Sequence, residues 1–304
     1  MKKILKLTNY QIVEISGNDQ KKFLQGLITN NIDKANSSEL LYSCMLNQNG
    51  RFLYDFFITK DEKNTKIILF SAKKFTEQLI KKLNFYRLRS DVKIEINHQL
   101  ELCYSFDNQA LTSISSQIFK DPRNDKMGYF CFAETAQIPS NIDPYDCSYH
   151  LKRFENLICE GQFDLTSEKS FIQEFAFDDL SAIDYNKGCY IGQEIIARTH
   201  FKGEIRKKII SLNLKLNNCS QQMIEKLNSL IAKPNSSLNF FDYQPHFFSL
   251  TINDSEVGEV LSFAFNDQNF WSLAQIKITE NFELENLKKV LKLENNLIDF
   301  INQK

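Results

Sequence analysis

The chain has 304 residues, of which 42% are hydrophobic and 25% charged, an ordinary globular balance that excludes disorder over most of its length. It is too long for one ordinary core, so two or three compact units are expected. A formal net charge of −1 excludes nucleic acid as a partner of the surface as a whole, and any such role must rest on a local patch.

In chain order, Gln11 to Ser16 reads as a short strand ending at Gly17, with Asn18 and Asp19 as possible helix caps. Phe23, Leu24, Leu27 and Ile28 follow at helical spacing. Cys44 to Leu46, the turn Asn47-Gln48-Asn49-Gly50 and Arg51 to Thr59 predict a hairpin. Ile67 to Phe70 predicts another strand, Phe75, Leu79, Leu83 and Tyr86 a helix, and Val92, Ile94 and Ile96 a strand. Mixing of this kind, without strict βαβ alternation, predicts an α+β fold.

Residues 107–127 are polar and read as loops at a lobe boundary. Asp143-Pro144 predicts a helix start, Tyr149, Phe154, Leu157 and Ile158 line that helix, and Gly161 ends it. From about residue 205 the texture changes. Ile205 to Leu214, Phe247 to Ile252, Val257 to Phe265 and Phe270 to Ile278 read as strands of a small antiparallel barrel or sandwich. Lys215 to Asn239 reads as a solvated insert, and Leu284, Leu287 and Leu291 as a closing helix.

The seven cysteines are scattered, with no C-x-x-C pair, which predicts reduced thiols and no structural zinc site. Lys6, Asn9, Gln11 and Glu14 interrupt any signal-peptide core, and no apolar run approaches the roughly 18 residues of a membrane span. A soluble, cytoplasmic monomer without a membrane partner is expected. His98, His150, His200 and His246 show no metal-ligand spacing, so no metal site is expected; His200 is the one plausible rim contact.

Chemistry concentrates at Lys187-Gly188-Cys189-Tyr190-Ile191-Gly192-Gln193-Glu194. Two of only nine glycines bracket Cys189, which predicts a tight turn there. The Lys187 ammonium two residues away is of the kind that lowers a thiol pKa. Gln193 and Glu194 offer hydrogen-bonding groups suited to a heterocycle edge. Lys187, Arg198, Lys202, Arg206, Lys207 and Lys208 against Glu194 and Glu204 make the stretch locally basic, suited to an anionic ligand tail. A lone cysteine is nonetheless more often a small buried hydrophobe than a reactive thiol, so the residues alone define a site without a reaction.

The string KGCYIGQEIIAR resembles the signature of the YgfZ family, folate-binding proteins related to the aminomethyltransferase T-protein, and its continuation through Lys208 is most similar to the mitochondrial iron–sulfur assembly branch. Phe23 to Asn30, Asn49 to Asp55, Leu83 to Val92 and Val257 to Ser262 resemble further landmarks of that family. The resemblance implies two interleaved α+β lobes around a central channel over residues 1–204, and a C-terminal antiparallel β-barrel over 205–304. It implies tetrahydrofolate, or a derivative, as cofactor. Cys189 would be the reactive thiol, and Lys187, Gly188, Tyr190, Gly192, Gln193, Glu194 and Arg198 would shape the binding site. The implied role is support of four-iron protein maturation, including radical enzymes that modify tRNA, with iron–sulfur assembly proteins or client enzymes as partners.

Two departures stand out. T-proteins usually carry paired acids after the hairpin glycines, whereas Leu53-Tyr54-Asp55 holds one. Asp55 is the candidate catalytic acid, and its isolation moves the reading away from classical turnover. Phe171-Ile172-Gln173-Glu174 stands where the family usually has a proline. Two other readings stay open: a folate-dependent aminomethyl or one-carbon transferase, and a tRNA-binding factor using the basic segment.

Overall fold

The computed structural model describes residues 3–140, 142, 147–229, 239–241, 248–252, 255–266, 268–277, 292–293, 296–297 and 299–303. By its internal contacts the chain divides into two units. One comprises Met1–Pro144, Thr166–Ile172 and Phe177–Gly203; the other comprises Tyr145–Leu165, Gln173–Ala176 and Glu204–Lys304. The expected α+β class is what forms.

The first unit is built on a five-stranded antiparallel sheet. Its order is Leu41–Leu46, Phe52–Lys60, Lys66–Ala72, Tyr10–Ser16 and Lys93–Asn97. Both faces are covered, which is why Phe52–Lys60 is apolar nearly throughout and buried along its length. Helices Gln20–Gln25 and Lys73–Arg87 cover one face, burying Leu24, Leu79 and Leu83 against Val13, Ile15, Phe56 and Leu69. Toward the other face, Phe57 stacks on Phe70 at 4.7 Å, and both rings meet Phe130 at 5.1 and 5.5 Å. Phe130 belongs to a four-stranded sheet ordered Leu5–Lys6, Leu100–Ser105, Tyr129–Glu134 and Ile118–Lys120. Each such ring pair is worth about 0.5–1.5 kcal/mol beyond its burial, so this aromatic layer holds the sheets together.

The expected loop at 107–127 contains a helix, Asn108–Leu111, and the Ile118–Lys120 strand. Its polar composition hid them because Asp107 caps the helix, its side chain accepting from the Gln109 N–H.

In the second unit, helix Ser148–Glu155 is capped at Cys147; Asp143 and Pro144 lie outside the described residues. That helix ends at Asn156, and Gly161 opens a further short helix, Gly161–Asp164, so it does not terminate the first. The antiparallel sheet of this unit runs Asn296–Leu297, Lys292–Leu293, Ser249–Ile252, Ser255–Phe265, Asn269–Lys277, Lys207–Lys215 and Asp299–Gln303, with Asn239–Phe241 also paired to Ser255–Phe265. Among the described residues this path is open, so they do not close the expected barrel. Alternating hydrophobicity reports one buried face and does not distinguish an open sheet from a closed one. The expected solvated insert at 215–239 includes helix Gln221–Asn228, which buries Met223 and Leu227. The closing helix expected at Leu284, Leu287 and Leu291 lies outside the described residues, as does His246. Among the described residues no helix is long and apolar enough to cross a membrane.

Candidate functional site

The signature segment is laced to the chain after the first helix. Thr29 Oγ1 donates to the Ala182 carbonyl at 2.7 Å, Asn30 Nδ2 to Ser181 at 2.7 Å, and Asp184 N–H to Thr29 at 3.1 Å. Ile191 N–H donates to Gly26 at 3.2 Å. Two motifs far apart in sequence, Phe23 to Asn30 and Lys187 to Glu194, are therefore the two sides of one seam.

Lys187 closes that seam. Its side chain is buried, and Nζ donates to the carbonyls of Gln25, Ile28 and Asn30 at 2.8, 2.6 and 2.8 Å. An ammonium has three protons, and all three are used here. Nζ also lies 4.9 Å from the Tyr190 ring centroid. Burial pushes the Lys187 pKa down to about 8, against the pull of Asp184 and Asp33. Burial opposes ionisation of Asp184 as well, but hydrogen bonds from Lys34 and the Asn186 N–H hold its carboxyl below the usual range.

Cys189 points the other way. Among the described residues it is the one cysteine classed as exposed; Cys44, Cys103, Cys131 and Cys159 are buried, and Cys147 and Cys219 half-buried. It sits in irregular chain between two turns and not on the tight turn that its flanking glycines suggested. Tyr190 is buried, and burial, with Cys44, Asp178 and Asp184 nearby, drives its phenol pKa upward. Cys44 is likewise pushed well up by burial and by Asp55, which keeps that thiol protonated.

The two signature glycines do different work. Gly192 has φ +83° and caps helix Gln193–Lys202. A Cβ there would stand 2.6 Å from the Asn47 carbonyl oxygen and 3.1 Å from Gly50 Cα. Gly50, at φ +68°, closes the hairpin turn and faces Ile195 with equally little room. The hairpin turn and the helix start thus meet glycine to glycine. Gly188 has open space around its Cα and no positive φ. Gly192→Ala is expected to cost about 1–3 kcal/mol in urea unfolding, while Gly188→Ala stays within about 0.5 kcal/mol of wild type. Equal effects would refute this division.

Gln193, the first residue of that helix, is tied to the turn before it: Oε1 accepts from the Tyr190 N–H at 3.3 Å, and its N–H donates to the Tyr190 carbonyl at 3.2 Å. Glu194 and Arg198 are exposed, four residues apart on that helix. His200 stacks on Tyr185 at 3.7 Å, and Phe201 meets both rings edge-on while remaining 69% exposed. This aromatic cluster was missed in the sequence, where Tyr185 and Phe201 stand too far apart to suggest contact.

Asp55 lies elsewhere in the same unit. It is buried opposite Cys44 in the sheet, and the Tyr42 hydroxyl donates to it at 2.7 Å. Tyr42 packs against Phe57 and Phe177 at 4.8 and 5.8 Å, so the carboxylate has an aromatic wall. Among the described residues no cluster of three or more His, Cys, Asp or Glu side chains could hold a metal ion.

An α+β chain with this arrangement resembles the solved aminomethyltransferase T of the glycine cleavage system from Bartonella henselae, at TM-score 0.64 over 90% of this chain and 78% of that one. With 13% identity, that likeness is one of fold. Residues 3–100 match the family model of the GCVT N-terminal domain. Its homologues include the mitochondrial iron–sulfur cluster assembly factor IBA57 homolog of Mycosarcoma maydis, 30% identical over 234 residues, covering 70% of this chain and 58% of that protein. They also include human mitochondrial IBA57, 27% identical over 230 residues, covering 67% and 64%. The chain thus spans less than two thirds of these relatives. The mitochondrial relatives overturn the cytoplasmic expectation, which rested on reduced cysteines, an interrupted signal-peptide core and no membrane-length apolar run. Reduced thiols exclude an oxidising compartment without choosing among reducing ones.

Proposed function

We propose that the protein is a folate-binding factor in iron–sulfur cluster assembly, acting in mitochondria on the maturation of four-iron proteins, with Cys189 as its point of chemical contact. The observation that carries this reading is the exposure of the signature thiol on a segment otherwise pinned down by Lys187, Asp184 and Ile191. A thiol presented on a fixed edge is accessible to a partner, while the fold beneath it does not depend on it. One thiolate fills one position of a cluster, so the remaining ligands would come from a partner protein or a small thiol.

Asp55 and Tyr42 suit a folate. A buried carboxylate against aromatic rings has the chemistry to accept hydrogen bonds from an aminopyrimidine edge. Bound there, folate would supply a one-carbon carrier, and Asp55 would orient its ring. Arg198 and the Gln193 amide remain candidates for its anionic tail, and Gly188 leaves room for close approach. Lys187 would act by holding the seam in place.

Cys189→Ser is expected to leave thermal unfolding unchanged and to abolish activity of four-iron enzymes in cells that depend on this protein. Retained enzyme activity would remove the chemical role of the thiol.

A further inference from the structure

Cys103 and Cys131 stand directly opposite each other on the antiparallel strands Leu100–Ser105 and Tyr129–Glu134. Both are buried free thiols. Directly opposed residues project to the same sheet face, with Cα atoms about 4.5–5.5 Å apart. A disulfide spans roughly 4.4–6.8 Å between Cα atoms, so the Cα separation of this pair is within its reach. Both thiols lie in one apolar cluster on that face.

Their surroundings favour reaction at one sulfur. The contact with Cys131 lowers the Cys103 pKa and raises that of Cys131 itself. Lys6, opposite Cys103 on the neighbouring strand, also favours the Cys103 thiolate, although Glu101 pairs with its ammonium. Leu111 and Ile114 belong to the apolar cluster around the pair, and Leu111 ends a helix of only four residues. A cover this short opens locally at small cost compared with unfolding the sheet.

We propose that Cys103 and Cys131 are a two-thiol modification site that closes to a disulfide by exchange with a small disulfide such as oxidised glutathione. The Cys103 thiolate attacks one sulfur of the small disulfide, whose S–S bond breaks, and one thiol leaves with the proton Cys103 gave up. The Cys131 thiolate then attacks Cys103 sulfur in the mixed disulfide, and the second thiol leaves with the second proton. Two protein S–H bonds are replaced by one S–S bond, and the small disulfide takes up two electrons and becomes two thiols. Cys189 is exposed in irregular chain, and among the described residues it has no cysteine paired with it as Cys103 has Cys131, so its exchange ends at the mixed disulfide.

The test incubates the reduced full chain with oxidised glutathione, alkylates free thiols in denaturant and maps the peptides by mass. The expected result is a peptide carrying Cys103 linked to one carrying Cys131, lighter by two hydrogens, with glutathione on Cys189. In Cys103→Ala, Cys131 should be alkylated or carry glutathione and link to nothing; should that variant not fold, the wild-type map still decides. Free alkylated Cys103 and Cys131 beside a glutathione-bearing Cys189 would overturn the proposal. So would either cysteine linked to a different one.

Discussion

Arg153→Ala is expected to destabilise the second unit by about 3–5 kcal/mol in chemical denaturation, the cost of leaving one partner of a buried ion pair uncompensated. Arg153 and Asp164 have fully buried side chains joined at 2.8 Å. The same guanidinium donates to the Ile158 carbonyl at 2.8 Å and lies 4.9 Å from the Phe163 ring centroid. Asp164 also accepts from the Glu160 N–H at 2.8 Å and from the Ser262 hydroxyl, which ties the Gly161–Asp164 helix to the Ser255–Phe265 strand. Burial raises the Asp164 pKa, and Arg153 opposes that rise; without the arginine the carboxyl takes up a proton or remains charged with no counterion. Exchanging both residues for apolar ones of similar size, Arg153→Met with Asp164→Leu, should recover only part of the loss, because the Ile158 carbonyl, the Glu160 N–H and the Ser262 hydroxyl still lose their partners. A single variant costing less than about 1 kcal/mol would show that the pair is not integral to this unit.

Lys187→Met should cost about 2–4 kcal/mol, because the carbonyls of Gln25, Ile28 and Asn30 lose their common donor while the side-chain stem still packs. Urea unfolding measures the cost, and calorimetric titration with tetrahydrofolate reveals its meaning. Wild type should give a binding signal. A variant destabilised by this amount whose folded fraction still binds would identify Lys187 as a structural tie. A folded variant without binding would make it a ligand contact, and silence from wild type would remove folate from the proposed function.

Much of the first unit was legible because its periodicities are strong. The hairpin around Asn47-Gln48-Asn49-Gly50 and the helix through Leu79 and Leu83 formed within a few residues of where their patterns placed them. The Leu100–Ser105 and Tyr129–Glu134 strands escaped notice, since cysteines and polar flanks interrupt their alternation. At the site, spacing identified the segment and misled about its parts. Lys187 looked like an activator of the neighbouring thiol, yet a charge two residues away in sequence can point into the core, and only the distant carbonyls reveal that it does. Gly192 looked like a partner to Cys189, but what demands a glycine there is its own positive φ and the close Asn47 carbonyl of the hairpin turn. Arg153 left one usable trace. It lies four residues after Tyr149 on the apolar face of its helix, where an arginine must find a buried partner.

The Lys187 tie also sets a schedule. Its acceptors at Gln25, Ile28 and Asn30 precede it by 162, 159 and 157 positions. At about 5–20 residues per second, a ribosome that has released Asn30 needs roughly 10–30 s more before Lys187 can emerge. Throughout that interval the end of the first helix and the chain after it carry three carbonyls whose final donor has not yet emerged. The part of the chain bearing the GCVT N-terminal match therefore completes its folding late in synthesis, and the cysteine two residues beyond the lysine is displayed only as the seam becomes able to close.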